Sequence, residues 1–267
     1  MKTWLLALLT LGWLGSHAFA APPPSTATLE LSPPQAGSFP PLRPFHAEYK
    51  FGWTAFTAAD GAFDYRKGKG GQMRMEVTAH TTGFVRTLWQ MDLEYLATLM
   101  AASLRPVSVV QTETYAKKTI KTSLDFNATG VTRLREITPP DPKPPKSKPH
   151  DFPNLFDLNS ALHWVRSQPL KNGDRYRIAV YPGGTTYLAQ IDVAGREKIN
   201  AAGRSWNAIK LNLQLWHVTD NLQLEPHSKF KNAAIWTSDD ANRVLLKIEA
   251  DIFVGSVWAE MQSLDFK

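Results

Sequence analysis

Apolar and polar residues alternate over much of the chain between residues 45 and 267. From Phe45 to Trp53 (FHAEYKFGW), odd-numbered residues are apolar or aromatic, while most even-numbered residues are polar. A period of two predicts a β-strand with one face buried and the other in water. The same alternation recurs at residues 73–79, 93–99, 176–180, 209–215 and 244–248.

Glycine-containing turn signals separate several of these predicted strands. They are Asp60-Gly61, Gly68 to Gly71, Asn172-Gly173 and Gly183-Gly184. Glycine adopts the backbone conformations that tight turns require, so these positions predict hairpins. Short connections favour antiparallel neighbours, because parallel strands need long crossovers.

Two segments have helical spacing instead. In residues 157–167 (DLNSALHWVRS), either Asp157 or Asn159 could cap the start of the predicted helix, and Pro169 ends it. A shorter candidate is Phe84 to Trp89. The apolar residues at helical spacing in the first segment are Leu158, Ala161, Leu162 and Val165.

These elements predict a mainly β fold of the α+β class. A sheet with one apolar face must bury that face against another element. We therefore expect a curved antiparallel sheet, or open half-barrel, wrapped around one or two short helices.

The prolines divide the chain. Of its 19 prolines, eight lie in residues 21–44 and seven in residues 139–153. Proline lacks a backbone N–H donor and fixes φ, so both stretches are expected outside regular structure. We predict an extended tail over 21–44 and a single domain over 45–267, with a Pro/Lys-rich loop at 139–153.

The first residues have the pattern of an export signal. A short positive start at Lys2 precedes the apolar run 4–14, and Ala18-Phe19-Ala20 forms a cleavage site. We predict a signal peptide over 1–20, a mature start at Ala21, and a periplasmic or secreted protein. After signal removal, no transmembrane segment is expected, because no later run has 18 uninterrupted apolar residues.

Composition excludes several classes of function. The chain has no cysteine, so it has no disulfide framework, thiolate nucleophile or lipoprotein anchor. The formal net charge is +6, but its basic residues are scattered without interleaved aromatics, which argues against nucleic-acid binding. The oligomeric state does not follow from the sequence.

Sequence motifs for catalysis are absent. The chain contains no G-x-S-x-G, H-E-x-x-H or Walker pattern, and its histidines have no spacing that forces metal ligands to converge. We expect solvated or singly hydrogen-bonded histidines, no metal, no cofactor and no enzymatic activity. The alternative is a hydrolase that uses Asp239 or Asp240 with a histidine. A hairpin turn, in which these carboxylates accept backbone N–H bonds, explains the pair more simply.

Seven tryptophans follow the predicted signal peptide, which is many for a chain of this length. A tryptophan suits a core or the wall of an apolar cavity. Besides core packing, we consider a ligand cavity under the curved sheet. Its predicted lining is Trp53, Trp89, Trp164, Leu162 and Tyr95.

Three stretches, taken in order, resemble the domain-of-unknown-function family 3108 of exported bacterial proteins. They are Phe45 to Trp53 with Gly61; Asp157 to Arg166 with Pro169-Leu170 and Gly173; and Trp236 to Asp240 with Arg243 and 254–257. The resemblance implies an exported β-rich protein similar in architecture to lipoprotein-carrier folds, without an assigned activity. The proline-rich segment 139–153 departs from the family pattern.

The leading hypothesis is a non-catalytic cell-envelope protein that binds a lipid, a lipidated component or another apolar ligand in the concave face of its sheet. The alternative is a structural or interaction module that acts through its sheet edge and its Pro-rich tail.

Overall fold

The computed structural model describes residues 29–139, 147–227, 230–252 and 255–267. The predicted signal peptide, 1–20, and the first part of the predicted tail lie outside the described residues. Two short helices accompany the strands in this part of the chain: α1 (Gly83–Leu88) and α2 (Leu158–Ser167).

The described strands form one antiparallel sheet. They are β1 (Phe45–Trp53), β2 (Phe56–Lys67), β3 (Gln72–Thr81), β4 (Met91–Met100), β5 (Pro106–Tyr115), β6 (Lys118–Phe126), β7 (Gly130–Thr138), β8 (Lys148–Asp151), β9 (Arg175–Val180), β10 (Tyr187–Ala201), β11 (Arg204–Val218), β12 (Leu224–Pro226), β13 (Phe230–Ser238), β14 (Leu245–Ile252) and β15 (Ser256–Phe266).

Two meanders make up the sheet. Strands β1 to β8 follow one another, and β9 to β15 form a second series, with the short β12 paired only to β11. The meanders join where β1 pairs with β15, from Phe45 opposite Phe266 to Trp53 opposite Val257. Strands β8 and β9 are the two edges of the open sheet. The predicted fold class is confirmed.

The strand register gives the curved sheet two distinct ends. At one end lie the β1–β2 turn, α1 and the β5–β6 turn, because Trp53 pairs with Phe56, Ala59 with Thr81, and Met91 with Tyr115. We call this the mouth end. The opposite end, which we call the closed end, holds the β4–β5 turn.

Helix α2 lies in the hollow of the sheet. Asp157, at the start of the helix, accepts a hydrogen bond from Tyr95 of β4. The His163 ring contacts Tyr65 of β2, and the Trp164 ring contacts β9. Asp157 caps the helix by accepting hydrogen bonds from two backbone N–H groups of the first turn, and the Ser160 hydroxyl completes a capping box. The helix is therefore fixed at its start and packed on several sides.

Residues 29–44 have no regular secondary structure and lie against α2 and β9. The indole N–H of Trp164 donates to the Gln35 carbonyl at 2.9 Å, and the Gly37 N–H donates to the Ser167 hydroxyl at 2.8 Å. Although expected to form a tail, this segment covers the outer side of α2.

Two local predictions are wrong. Asp60-Gly61 is not a turn but lies within β2, where a Cβ on Gly61 would be 2.5 Å from the Thr78 carbonyl oxygen. The glycine thus permits a close strand approach. Part of the predicted loop 139–153 is strand β8, which tolerates Pro149 because it lies at the sheet edge.

Candidate functional site: an apolar cavity under the sheet

A cavity of about 240 Å³ lies between α2 and the concave face of the sheet. Helix α2 contributes one face to it, as its 3.6-residue period requires. The helix residues that line the cavity are Leu158, Asn159, Ala161, Leu162 and Val165.

The strands supply the remaining walls, which are almost wholly apolar. Phe51 and Phe63 are the aromatic residues contributed by β1 and β2, and Leu211 and Ile235 are among the aliphatic residues from β11 and β13. Among the described lining residues, three carry polar side-chain atoms: Tyr49, Tyr95 and Asn159. The cavity therefore suits a hydrocarbon better than a polar ligand.

The tyrosine hydroxyls at the wall have internal hydrogen-bond acceptors. Tyr49 donates to the Leu245 carbonyl at 2.6 Å, and Tyr95 donates to a carboxylate oxygen of Asp157 at 2.9 Å. Burial raises the pKa of Asp157 above its ordinary value, although hydrogen bonds from Ser160 and Tyr95 oppose this rise. Tyr95 and Asp157 stabilise the start of α2, and the second carboxylate oxygen of Asp157, Oδ2, is buried without a hydrogen-bond partner among the described residues.

His163 is buried on α2 and is not solvated. Its ring lies 5.1 Å from the Tyr65 ring, and its Nε2 atom has no hydrogen-bond partner among the described residues. Burial, together with the charge of Arg166, lowers its pKa to about 3. His163 is therefore neutral near neutral pH.

Leu162 and Tyr95 line the cavity, as the sequence predicted, but Trp164 does not. Each residue turns an α-helix by about 100°, so Trp164 lies on the side of α2 opposite Leu162. There it is fully buried and contacts Phe156 and Tyr176.

Trp53 and Trp89 also lie outside the cavity wall. Trp53 ends β1 and packs beside the core cluster that contains Val257, whereas Trp89 follows α1 and contacts the Tyr115 ring at 6.2 Å. The structure thus brings together two of the five predicted lining residues. Phe51 and Phe63, which the prediction omitted, share the inward phase of their strands.

The carboxylates of Asp239 and Asp240 lie in the β13–β14 connection. Asp239 accepts a hydrogen bond from Arg196 at 3.1 Å, and Asp240 accepts from the backbone N–H groups of Asn242 and Arg243. This is the turn arrangement favoured by the sequence. Within the described ranges, no three His, Asp or Glu side chains cluster closely enough to hold a metal ion.

The structure defines a mainly β protein in which an open, curved antiparallel sheet and α2 surround an apolar cavity. The chain belongs to the family described as Protein of unknown function (DUF3108), whose model matches residues 48–262. This confirms the family resemblance noted in the sequence. No match was found among curated proteins.

The fold is similar to that of a β-barrel-like DUF1849 protein from Brucella abortus. The two share 8% identity and a TM-score of 0.58, with 85% of this chain and 99% of that chain covered. A predicted exported protein with a YmcC-like fold from Bacteroides fragilis gives 8% identity and a TM-score of 0.37, covering 86% of this chain and 99% of that one. A predicted lipoprotein from Parabacteroides distasonis gives 8% identity and a TM-score of 0.35, with the same coverage.

None of the helices in the described part of the chain has the length and apolar character needed to span a bilayer.

Proposed function

We propose that the protein is an exported, non-catalytic binding protein that holds one hydrocarbon chain in the cavity between α2 and the sheet. The observation that carries this proposal is the cavity itself, whose wall is apolar except at Tyr49, Tyr95 and Asn159. Water inside an apolar cavity lacks hydrogen-bond partners. A hydrocarbon is therefore the more favourable occupant.

The size of the cavity limits the ligand. An apolar protein cavity of roughly 150 Å³ binds benzene. At about 240 Å³, this cavity has room for a longer hydrocarbon, but it is small beside a pocket that encloses a drug-sized molecule. We therefore assign it one acyl chain, supplied by a fatty acid, a lipid or a lipidated partner.

The position of the polar atoms gives the ligand a direction. The Tyr49 and Tyr95 hydroxyls already donate to Leu245 and Asp157, and the described lining residues include no charged side chain that could pair with a headgroup. Lining residues such as Phe51 and Leu93 lie in the halves of β1 and β4 nearer the mouth end. The chain would enter there, with its headgroup left at the mouth.

A fluorescent fatty acid titrated into the purified protein tests this proposal. Ala161→Leu adds three carbons to the cavity face of α2, so we expect affinity to fall by at least roughly tenfold. Ala128→Leu makes the same change at an exposed turn of the closed end and should leave affinity unchanged. Circular dichroism establishes that both variants fold.

A complementary variant works in the opposite direction. Leu162→Ala enlarges the cavity, and we expect it to shift the preference towards longer acyl chains. Equal affinity in wild type and Ala161→Leu, together with an unchanged chain-length preference in Leu162→Ala, would contradict binding at this site.

The interaction-module alternative has weaker support. One edge strand, β8, is only four residues long, and backbone groups of Arg177 in the other edge strand, β9, pair with Ser32. Strand addition needs free backbone groups along an edge, so the segment 29–44 would first have to leave β9.

A further inference from the structure

We propose that the mouth end docks on an anionic lipid membrane through a patch made of Phe56, Phe84, Leu88, Lys117 and Lys118, which we call the mouth patch. This inference rests on the proposed function, because docking would bring a membrane acyl chain to the cavity.

Helix α1 carries the centre of the mouth patch. None of its residues is buried, and Phe84 and Leu88 are 76% and 66% exposed. Residues four apart lie on the same face of a helix, so these two side chains are neighbours. A helix with no fully buried residue that presents two exposed apolar side chains on one face is typical of an interfacial element.

Exposed apolar side chains are concentrated at this end of the sheet. Phe56 on β2 is one of the exposed large apolar side chains among the described residues, with 67% of its surface accessible. Phe56 lies beside α1, because the Thr82 N–H donates to the Ala58 carbonyl at 3.0 Å. Met100, at 37%, is the exposed apolar residue of the closed end.

Packed side chains connect the mouth patch with the cavity. Ala79 and Leu93 line the cavity and also form a small core cluster with Met91. Trp89, which immediately follows α1, packs against this cluster together with Tyr115. An acyl chain that leaves a membrane at α1 would therefore meet a continuous apolar path.

The charges beside the patch favour an anionic surface. Lys117 and Lys118 are exposed on the β5–β6 turn, and the Lys118 ammonium lies 5.7 Å from the Tyr115 ring. Trp89 links this turn to α1 through its contact with Tyr115. Apolar residues that enter the acyl region beside lysines that meet the headgroups form the usual interfacial arrangement.

The other side of the mouth has the opposite character. Leu222 is also exposed, at 56%, but Asp220 and Glu225 lie close to it in the sequence. Anionic headgroups would repel these carboxylates. The protein should therefore approach a membrane with α1 foremost, and Leu222 is not part of the patch.

The small number of apolar anchors favours a membrane over a protein partner. A stable protein interface engages roughly 20–30 residues on each side. The mouth patch offers three apolar side chains and two lysines. Reversible interfacial binding requires only a few such residues.

Vesicle cosedimentation of the exported protein tests the docking. We compare phosphatidylcholine vesicles with vesicles that also contain phosphatidylglycerol. The double variant Phe84→Ser/Leu88→Ser should lose binding by roughly tenfold or more. Met100→Ser is the matched control and should bind as wild type does.

A second pair of substitutions tests the charge. Lys117→Gln/Lys118→Gln should abolish most of the preference for phosphatidylglycerol while leaving weak binding to phosphatidylcholine. High salt should reduce binding of the wild type to the same level.

Fatty-acid titration without vesicles keeps the two proposals separable. All mouth-patch variants should bind the fluorescent fatty acid as wild type does. Wild-type protein that binds fatty acid but no vesicles, or Phe84→Ser/Leu88→Ser protein that binds vesicles fully, overturns the docking. Vesicle binding that depends on Phe84 and Leu88 without any fatty-acid binding supports docking and contradicts the proposed function.

Discussion

Arg243 joins three parts of the molecule that are far apart in sequence. Its guanidinium donates to the carbonyl oxygens of Arg166 and Gln168, at 2.8 and 2.5 Å, and to that of Pro169 at 3.0 Å. It also lies 3.4 Å from the centre of the Phe39 ring. One side chain thus ties the end of α2 to the β13–β14 connection and to the segment 29–44.

Arg243→Met should destabilise the protein strongly. Methionine keeps an apolar stem, but it leaves the last carbonyls of α2 without their charged donor. A hydrogen bond from a charged group contributes roughly 1.5–3 kcal/mol, and the bonds of one guanidinium are not additive, so we expect a loss of roughly 3 kcal/mol. With a urea slope of about 3 kcal/mol per molar, the unfolding midpoint would fall by about 1 M.

Urea unfolding followed by tryptophan fluorescence measures this change. Arg204→Met is the matched control, because the Arg204 guanidinium lies 3.6 Å from the Trp206 ring but is exposed. It should cost less than about 1 kcal/mol. Equal midpoint shifts in the two variants would refute the anchoring role of Arg243.

Three further predictions concern the buried polar groups and the strand packing. His163 has a pKa of about 3 in the folded state and a higher one when unfolded, so its stabilising effect is complete above the unfolded pKa and is lost as pH falls. Between pH 7 and pH 5, the free energy of unfolding of the wild type, measured in urea, should therefore fall by roughly 2 kcal/mol more than that of His163→Leu. Equal decreases in the two proteins would contradict this. Tyr95→Phe removes a hydrogen bond to Asp157 and should lower the free energy of unfolding by roughly 1–2 kcal/mol, which lowers the thermal midpoint. An unchanged midpoint would show that the bond contributes nothing. Gly52→Ala places a Cβ against the Trp258 ring and should cost roughly 1–3 kcal/mol, which a wild-type urea midpoint would refute.

Much of the architecture could be predicted from the sequence because alternation and helical spacing are local signals. The inward phase of β1, including Phe45 and Tyr49, is buried as its period of two requires. Of the two candidate caps, Asp157 and Asn159, the structure uses Asp157, and the helix ends before Pro169 as expected. The long-range pairing of β1 with β15 could not be predicted, because no local pattern specifies it.

The cavity was harder to predict than the sheet. Tryptophan content pointed to Trp164, but that side chain lies on the outer side of α2, where the Gln35 carbonyl accepts its indole N–H. The correct signal was geometric: Leu158, Ala161 and Leu162 form the inward face of α2. Phe51 belonged to the same inward strand phase and could have been included on that ground.

A crystal structure with a bromine-labelled fatty acid tests the central claim most directly. We expect anomalous bromine density between α2 and the concave sheet, beside Leu162, with the carboxylate at the mouth end. A cavity closed by its own side chains, with bromine found only on the outer surface, would contradict the account.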